Sequence, residues 1–240
     1  MINENRLSEV ISKDVTLRLV EPHIYSIHST DETASGYDKW GLAYELVACN
    51  RFYNRLVWGY WPSEYYGFSR MALNASTDGW VLDAGCGSLA FTARTYLNYS
   101  NRPVILMDNS IKMLTLAKSR LINQNGKIPD NIVFLHADIL QLPFKPNSFG
   151  TIISLNVLHA IPNPKTMLQE LSNVLIEEGS MSFSTLVENS RFADKYLHKL
   201  GDAGALFPRS ASQLFSVFDE LDISIKNSFK GNLVFINHGI

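Results

Sequence analysis

The sequence predicts an α/β fold: a Rossmann-like, mostly parallel sheet of seven strands with helices on both faces, closed by an antiparallel C-terminal hairpin. Three observations carry this. From Trp80 onward, short apolar runs alternate with amphipathic helical segments, the pattern of a parallel sheet. The first run, Val81-Leu82-Asp83, passes directly into the glycine loop Ala84-Gly85-Cys86-Gly87-Ser88. The chain ends in two β-type runs, Asp222 to Phe229 and Asn232 to Asn237, joined at Lys230-Gly231.

The elements follow in order. Leu7, Val10, Ile11, Val15, Leu17 and Leu19 read as one apolar helix face, and Pro22 to Ser35 as loop. Tyr37 to Tyr60 has helical spacing and many aromatics, among them Tyr37, Trp40, Tyr44, Phe52, Tyr53 and Trp58. It reads as a helix packed on the core, part of which walls off a pocket. Pro62 ends it, and Ser63 to Ser76 forms a further short helix. Residues 1–76 are therefore expected to be a helical cap or lid, and 77–240 the ligand-binding core.

In the core, Trp80 to Asp83 is the first strand, Ser88 to Tyr99 a helix, and Pro103 to Met107 a strand ending at Asp108. Ser110 caps a helix to Gln124, stopped by Asn125-Gly126. Ile132 to Leu135 is the third strand, ending in His136-Ala137-Asp138, and Thr151 to Leu155 the fourth. Pro164 to Ile176 is a helix, Met181 to Thr185 a strand, and Ser190 to Leu200 and Ser212 to Leu221 are helices.

Composition narrows the function. A chain of 240 residues with 46% hydrophobic and 18% charged side chains suits one globular α/β unit. A net charge of −2 gives no basic excess overall, which disfavours nucleic acid as partner while leaving a local basic patch open. Two cysteines, Cys49 and Cys86, make no disulfide framework, no leader is evident, and a cytoplasmic location is expected. No apolar run is long enough to insert across a membrane, and the six histidines show no metal-ligand spacing. The oligomeric state is not readable.

Gly85 to Ala90 formally spells the dinucleotide pattern G-x-G-x-x-A, with Asp108 at ribose-binding distance. A nicotinamide-dependent oxidoreductase is thus one alternative. Asp83 argues against it, because an acid two residues before Gly85 repels a pyrophosphate. A cationic, phosphate-free ligand welcomes that acid. S-adenosylmethionine carries a sulfonium and an ammonium, and acids at three successive strand ends match its parts. Asp83 suits the ammonium, Asp108 the ribose hydroxyls and Asp138 the adenine amine.

These segments resemble the class I S-adenosylmethionine-dependent methyltransferases. The pattern is similar to the small-molecule group that includes the ubiquinone and menaquinone C-methyltransferases. Four stretches carry the resemblance: Val81 to Gly87; Met107 to Ser110 with Met113, Leu114 and Ala117; Ala137-Asp138 with Leu142-Pro143-Phe144; and Ser154 to Pro164. It covers roughly Trp80 to Thr185. It implies a cofactor site built from Asp83, Gly85, Cys86, Gly87, Asp108, Asn109, Met113, Ala137, Asp138, Ile139, Leu155 and Asn156. It also implies methyl transfer to a small-molecule acceptor, with His159 as a general base and Tyr53 as a lid aromatic. For His159 the competing reading is a helix-face histidine satisfied by solvent or backbone; for Tyr53 it is core packing, and Tyr37 is a rival lid. His198, Arg191 and Arg209 either touch substrate or are surface residues. A non-catalytic S-adenosylmethionine-binding protein is a second alternative. Three departures from the family stand out: Leu89 where a third glycine is usual, Phe149-Gly150 for Phe-Asp, and Glu177-Glu178-Gly179-Ser180 for a Lys-Pro-Gly-Gly turn.

Overall fold

The computed structural model describes residues 4–28, 49–75, 77–189 and 192–240. Tyr37, Trp40, Tyr44 and Arg191 lie outside the described residues.

Strands β3 (Trp80–Ala84), β4 (Val104–Asp108), β5 (Ile132–His136), β6 (Phe149–Leu155) and β7 (Leu175–Leu186) form the parallel centre of the sheet. They lie in the order β5-β4-β3-β6-β7. The hairpin β8 (Lys226–Lys230) and β9 (Leu233–His238) extends it antiparallel, with β9 against β7. Successive side chains of a strand point to opposite faces, and both faces are buried. Leu82, Ala84, Ile105, Met107 and Val133 join one core. Val81, Val104, Leu106, Ile132 and Phe134 join the other. This two-sided burial explains why the strands read as continuous apolar runs rather than as alternation.

Among the described residues the sheet has nine strands, not seven. The additional pair comes from the stretch expected to be helix and loop. Among the described residues there, only Glu4–Leu7 is helical (α1); β1 (Arg18–Glu21) and β2 (Ile24–Ser26) form an antiparallel hairpin. Pro22 and His23 make its turn, with His23 at φ 72°; proline followed by a left-handed residue is a type II turn arrangement. β2 lies parallel to β5, with Ile24 opposite Phe134 and Ser26 opposite His136. Residues 1–76 therefore contribute strands as well as helices.

After residue 48, Asn50 caps a short helix, α2 (Arg51–Tyr53), its Oδ1 accepting from the amides of Phe52 and Tyr53. The chain continues as a π-helical turn, Asn54–Trp58, ended at Gly59. α3 (Ser63–Leu73) buries Tyr65, Ser69, Ala72 and Leu73, one stripe at helical spacing. The helix expected over Ser88 to Tyr99 shrinks to α4 (Ala93–Leu97), because Leu89 is left-handed at φ 57° and the chain before residue 93 stays a loop. α5 (Ile111–Asn125) starts where expected, with Ser110 Oγ accepting from the Met113 amide at 3.2 Å. α6 (Pro164–Val174), α7 (Ala193–Asp202) and α8 (Ala211–Asp219) complete the layers.

Gly150 has a physical cause. A Cβ built there would sit 1.7 Å from the Asp78 carbonyl oxygen, so β6 and the turn before β3 approach too closely for any side chain.

Candidate active site

A cavity of about 440 Å³ opens at the carboxyl ends of the parallel strands, where ligands bind in open α/β sheets. All twelve residues expected to hold the cofactor line it: Asp83, Gly85, Cys86 and Gly87 after β3; Asp108, Asn109 and Met113 around the β4–α5 junction; Ala137, Asp138 and Ile139 after β5; and Leu155 and Asn156 at the end of β6. His159 and Tyr53 are not among its lining residues.

The glycine loop is shaped by contacts on one side and open space on the other. Gly85 has φ 81°, and a Cβ on it would meet Val157 Cγ2 at 2.4 Å. Gly87 has φ 55° with nothing within 4 Å of its Cβ position, which leaves backbone facing the cavity. The Gly87 amide donates to Asp108 Oδ2 at 2.8 Å, and the Ser110 amide to Asp108 Oδ1 at 3.0 Å. The Asp108 carboxylate thus bridges the loop to the start of α5. Arg120 donates to the backbone carbonyl and hydroxyl of Ser88, tying the same loop to α5. Leu89, at the position of the family's third glycine, keeps the left-handed backbone but carries a side chain that is 1% exposed and packed in the core.

Asp83 is 2% exposed. Burial raises its carboxyl pKa to about 7; a hydrogen bond from Tyr96 Oη at 2.5 Å opposes that rise, and the charge of Asp108 adds to it. Burial also holds the Cys86 thiol well above its usual range, which leaves it a packed loop residue rather than a nucleophile. Asp138 keeps its own loop in shape, Oδ1 accepting from the Leu140 amide at 2.9 Å. Asn109 Oδ1 is buried and has no hydrogen-bond partner among the described residues.

At the β6 end, Asn156 is left-handed at φ 61°. Its side chain pairs with Tyr65: the phenol donates to Oδ1 at 3.0 Å, and Nδ2 reaches the phenol oxygen at 2.7 Å. Tyr65 stacks on Phe91, centroids 5.3 Å apart and planes 6° apart. Tyr65, Phe91, Cys49, Val157, Ala160 and Ile161 all line the cavity, and sequence reasoning named none of them as site residues. The buried stripe of α3 signals that Tyr65 is interior. Nothing local signals its partner, 91 residues away.

His159 faces elsewhere. Its Nδ1 accepts from the Leu186 amide at 3.2 Å and lies 3.0 Å from Thr185 Oγ1. A backbone N–H can only donate, so the ring proton sits on Nε2. Burial, and to a lesser extent the nearby Arg209 charge, lower its pKa to about 4. His159 lies in a 3₁₀ turn, Leu158–Ala160, not on a helix face. Arg209 does not line the cavity, and it is not a free surface group. It donates to the carbonyls of Leu158, Ile161, Pro162 and Phe207 at 2.6–3.2 Å, clamping the loop that carries Ala160 and Ile161. His198 pairs with Glu188 at 3.2 Å. Tyr53 donates to Tyr196 Oη at 3.2 Å and packs with Trp58 in a third apolar cluster.

The strand order, the glycine loop and the acid-lined cavity together define the fold of the class I S-adenosylmethionine-dependent methyltransferases, whose cofactor is S-adenosylmethionine. Comparison with known proteins agrees, and the chain belongs to the methyltransferase-domain family, which matches residues 76–215. An uncharacterised chloroplastic methyltransferase of Arabidopsis thaliana is 27% identical over 130 residues, 54% of this chain and 37% of that protein. A demethylmenaquinone methyltransferase of Chlamydia pneumoniae is 28% identical over 171 residues, 71% of this chain and 65% of that protein. The chain thus spans less than two thirds of the length of these relatives. Among solved structures, geranyl diphosphate C-methyltransferase of Streptomyces coelicolor, crystallised with S-adenosyl-L-homocysteine, shares the fold with a TM-score of 0.61. The identity is 13%, covering 73% of this chain and 76% of that one.

Proposed function

We propose that this chain transfers a methyl group from S-adenosylmethionine to a small organic acceptor. The observation that carries the reading is the convergence of Asp83, Asp108 and Asp138 on one cavity beside an open glycine loop. When bound, the cofactor supplies a methyl group on a positively charged sulfur, ready for in-line displacement. The residues present fit it. Asp108, fixed by two backbone amides, accepts from the ribose hydroxyls. Asp138 accepts from the adenine amine, and the unpartnered Asn109 Oδ1 is a further buried acceptor in the same wall. Asp83 complements the ammonium. On this reading, residues 77–240 are the cofactor-binding core, and of the described residues before them Cys49 and Tyr65 complete the cavity wall.

The acceptor side is apolar apart from the Tyr65–Asn156 pair: Phe91, Val157, Ala160 and Ile161 complete it. Such a wall excludes water from the nucleophile while the pair orients one polar atom of the acceptor. No histidine or lysine is found among the described lining residues. This favours an acceptor that needs little help from a base, such as a carbon acid already activated by its own conjugation, or an amine or thiol. The net charge of −2 supports a small molecule over nucleic acid, and a cytoplasmic location accords with the composition. Among the described residues no helix is long and apolar enough to cross a membrane.

Titration calorimetry with S-adenosylmethionine, S-adenosylhomocysteine and NAD tests the cofactor. Affinity for both sulfur compounds and none for NAD is expected; NAD binding alone would sink the proposal. A metabolite screen read by S-adenosylhomocysteine formation then identifies the acceptor, and cofactor binding with no turnover across it would favour a non-catalytic binder.

A further inference from the structure

The stretch from Arg51 to Trp61 is unlike the rest of the surface. Phe52 is 61% exposed, Leu56 83% and Trp61 37%. Phe52 and Leu56 are four residues apart along a helical path, and so are Arg51 and Arg55. The Arg51 guanidinium lies over Phe52 at 5.3 Å and over Trp61 at 5.5 Å, and that of Arg55 over Trp61 at 5.7 Å. Phe52 and Trp61 meet edge to face at 6.4 Å. Between Cys49 and Ser63 the sequence holds two arginines and no acid, in a chain of net charge −2. Among the described residues neither arginine has a carboxylate partner; Arg55 donates to the Gly59 carbonyl at 2.9 Å.

We propose that this face, Arg51, Phe52, Arg55, Leu56 and Trp61, seats the protein on an anionic lipid surface. Aromatic and aliphatic side chains enter the headgroup boundary while the arginines pair with lipid phosphates. The charge pattern selects this occupant. Cations with no carboxylate partner among the described residues, interleaved with apolar groups, complement a phosphate-bearing interface. Three exposed apolar side chains are fewer than a stable protein–protein core requires. The neighbouring helix adds to the same chemistry. α7 is held to this segment by the Tyr53–Tyr196 hydrogen bond and by Trp58 against Tyr196 at 5.6 Å. Just before α7, Phe192 is 88% exposed, with Lys195 Nζ 6.0 Å from its ring.

The face is bracketed in sequence by two cavity residues, Cys49 and Tyr65. A lipid-seated protein would thus hold its cavity beside the bilayer, suited to an acceptor that partitions into lipid. That consequence rests on the methyl-transfer reading, whereas the docking does not.

Vesicle co-sedimentation of the full chain tests the docking, using phosphatidylcholine vesicles with and without about 30% phosphatidylglycerol. Binding to the anionic vesicles is expected, weakened at least about tenfold by omitting the anionic lipid or by about 0.5 M salt. L56S and the double variant R51E/R55E should each lose vesicle binding about tenfold or more. Both should keep the wild-type thermal midpoint and S-adenosylhomocysteine affinity, because these side chains are exposed. Absence of vesicle binding overturns the proposal, as does binding unchanged in both variants. Concentration-dependent self-association abolished by L56S, without vesicle binding, also overturns it and makes the face a contact between copies.

Discussion

Replacing Asp83 by asparagine should separate the two things its carboxyl does. Burial raises its pKa from 3.8 to about 7. At about 1.4 kcal/mol per unit, ionising it in the ligand-free protein costs about 4 kcal/mol more than in the unfolded chain. The sign follows from proton counting. Between pH 4 and 7 the native state holds a proton that the unfolded state has lost, so stability falls as pH rises through that window and is flat above it. Asp83→Asn keeps an acceptor for Tyr96 and carries no charge. It should therefore remove this slope, leave the opposite acid sensitivity of His159 in the profile, and stabilise the ligand-free protein at pH 8 by several kcal/mol, read by urea unfolding. Cofactor binding should move the other way. A cation beside the carboxyl favours its ionised form, so wild-type affinity for S-adenosylmethionine should rise about tenfold per unit between pH 5 and 7. The variant should bind weakly and without that slope. A wild-type affinity independent of pH in this range, together with a variant less stable than wild type at pH 8, would refute the reasoning.

Three further outcomes are expected. Asp108→Ala removes the acceptor of two backbone amides and of the ribose; at about 1.5 kcal/mol for each charge-assisted bond, affinity for S-adenosylhomocysteine should drop about 100-fold by calorimetry, and an unchanged affinity overturns the ribose assignment. At position 89, alanine loses the buried side chain and keeps the left-handed strain, a cost of about 2–4 kcal/mol, whereas glycine loses the same side chain without the strain. Leu89→Gly should thus be as stable as Leu89→Ala or up to about 1 kcal/mol more stable, the reverse of the usual order; a glycine variant clearly below alanine contradicts this. His159, neutral in the fold with its pKa lowered to about 4, should bleed up to about 3 kcal/mol of stability as pH falls from 6.5 to 4, and His159→Gln should remove that acid sensitivity in thermal melts across the window.

The parallel strands were legible because burial on both faces writes continuous apolar runs, and the acids at their ends sit one or two residues beyond. The loop residues of the cavity followed from those positions. The β1–β2 hairpin was not legible. Leu7 to Leu19 places apolar residues at intervals that also satisfy a helix, and the strands are only four and three residues long. What makes them strands is β5, more than 100 residues away. The short α4 follows from a single backbone angle at Leu89 that no periodicity encodes. The placement of His159 outside the cavity lining was not legible for the same reason: the Leu186 amide that holds its ring belongs to a distant strand. The Tyr65–Asn156 pair likewise exists only once α3 is folded against β6.

The family match begins at residue 76, yet the sheet does not end there. β2 occupies the outer edge of β5, hydrogen-bonded along Ile24 to Ser26. A chain trimmed to the match would leave a row of unpaired amides and carbonyls on β5, beside the strand end that carries Ala137 and Asp138. Bare edges recruit other strands. Trimming at the homology boundary should therefore give a protein that aggregates through β5, so the boundary of kinship and the boundary of solubility are different places in this chain.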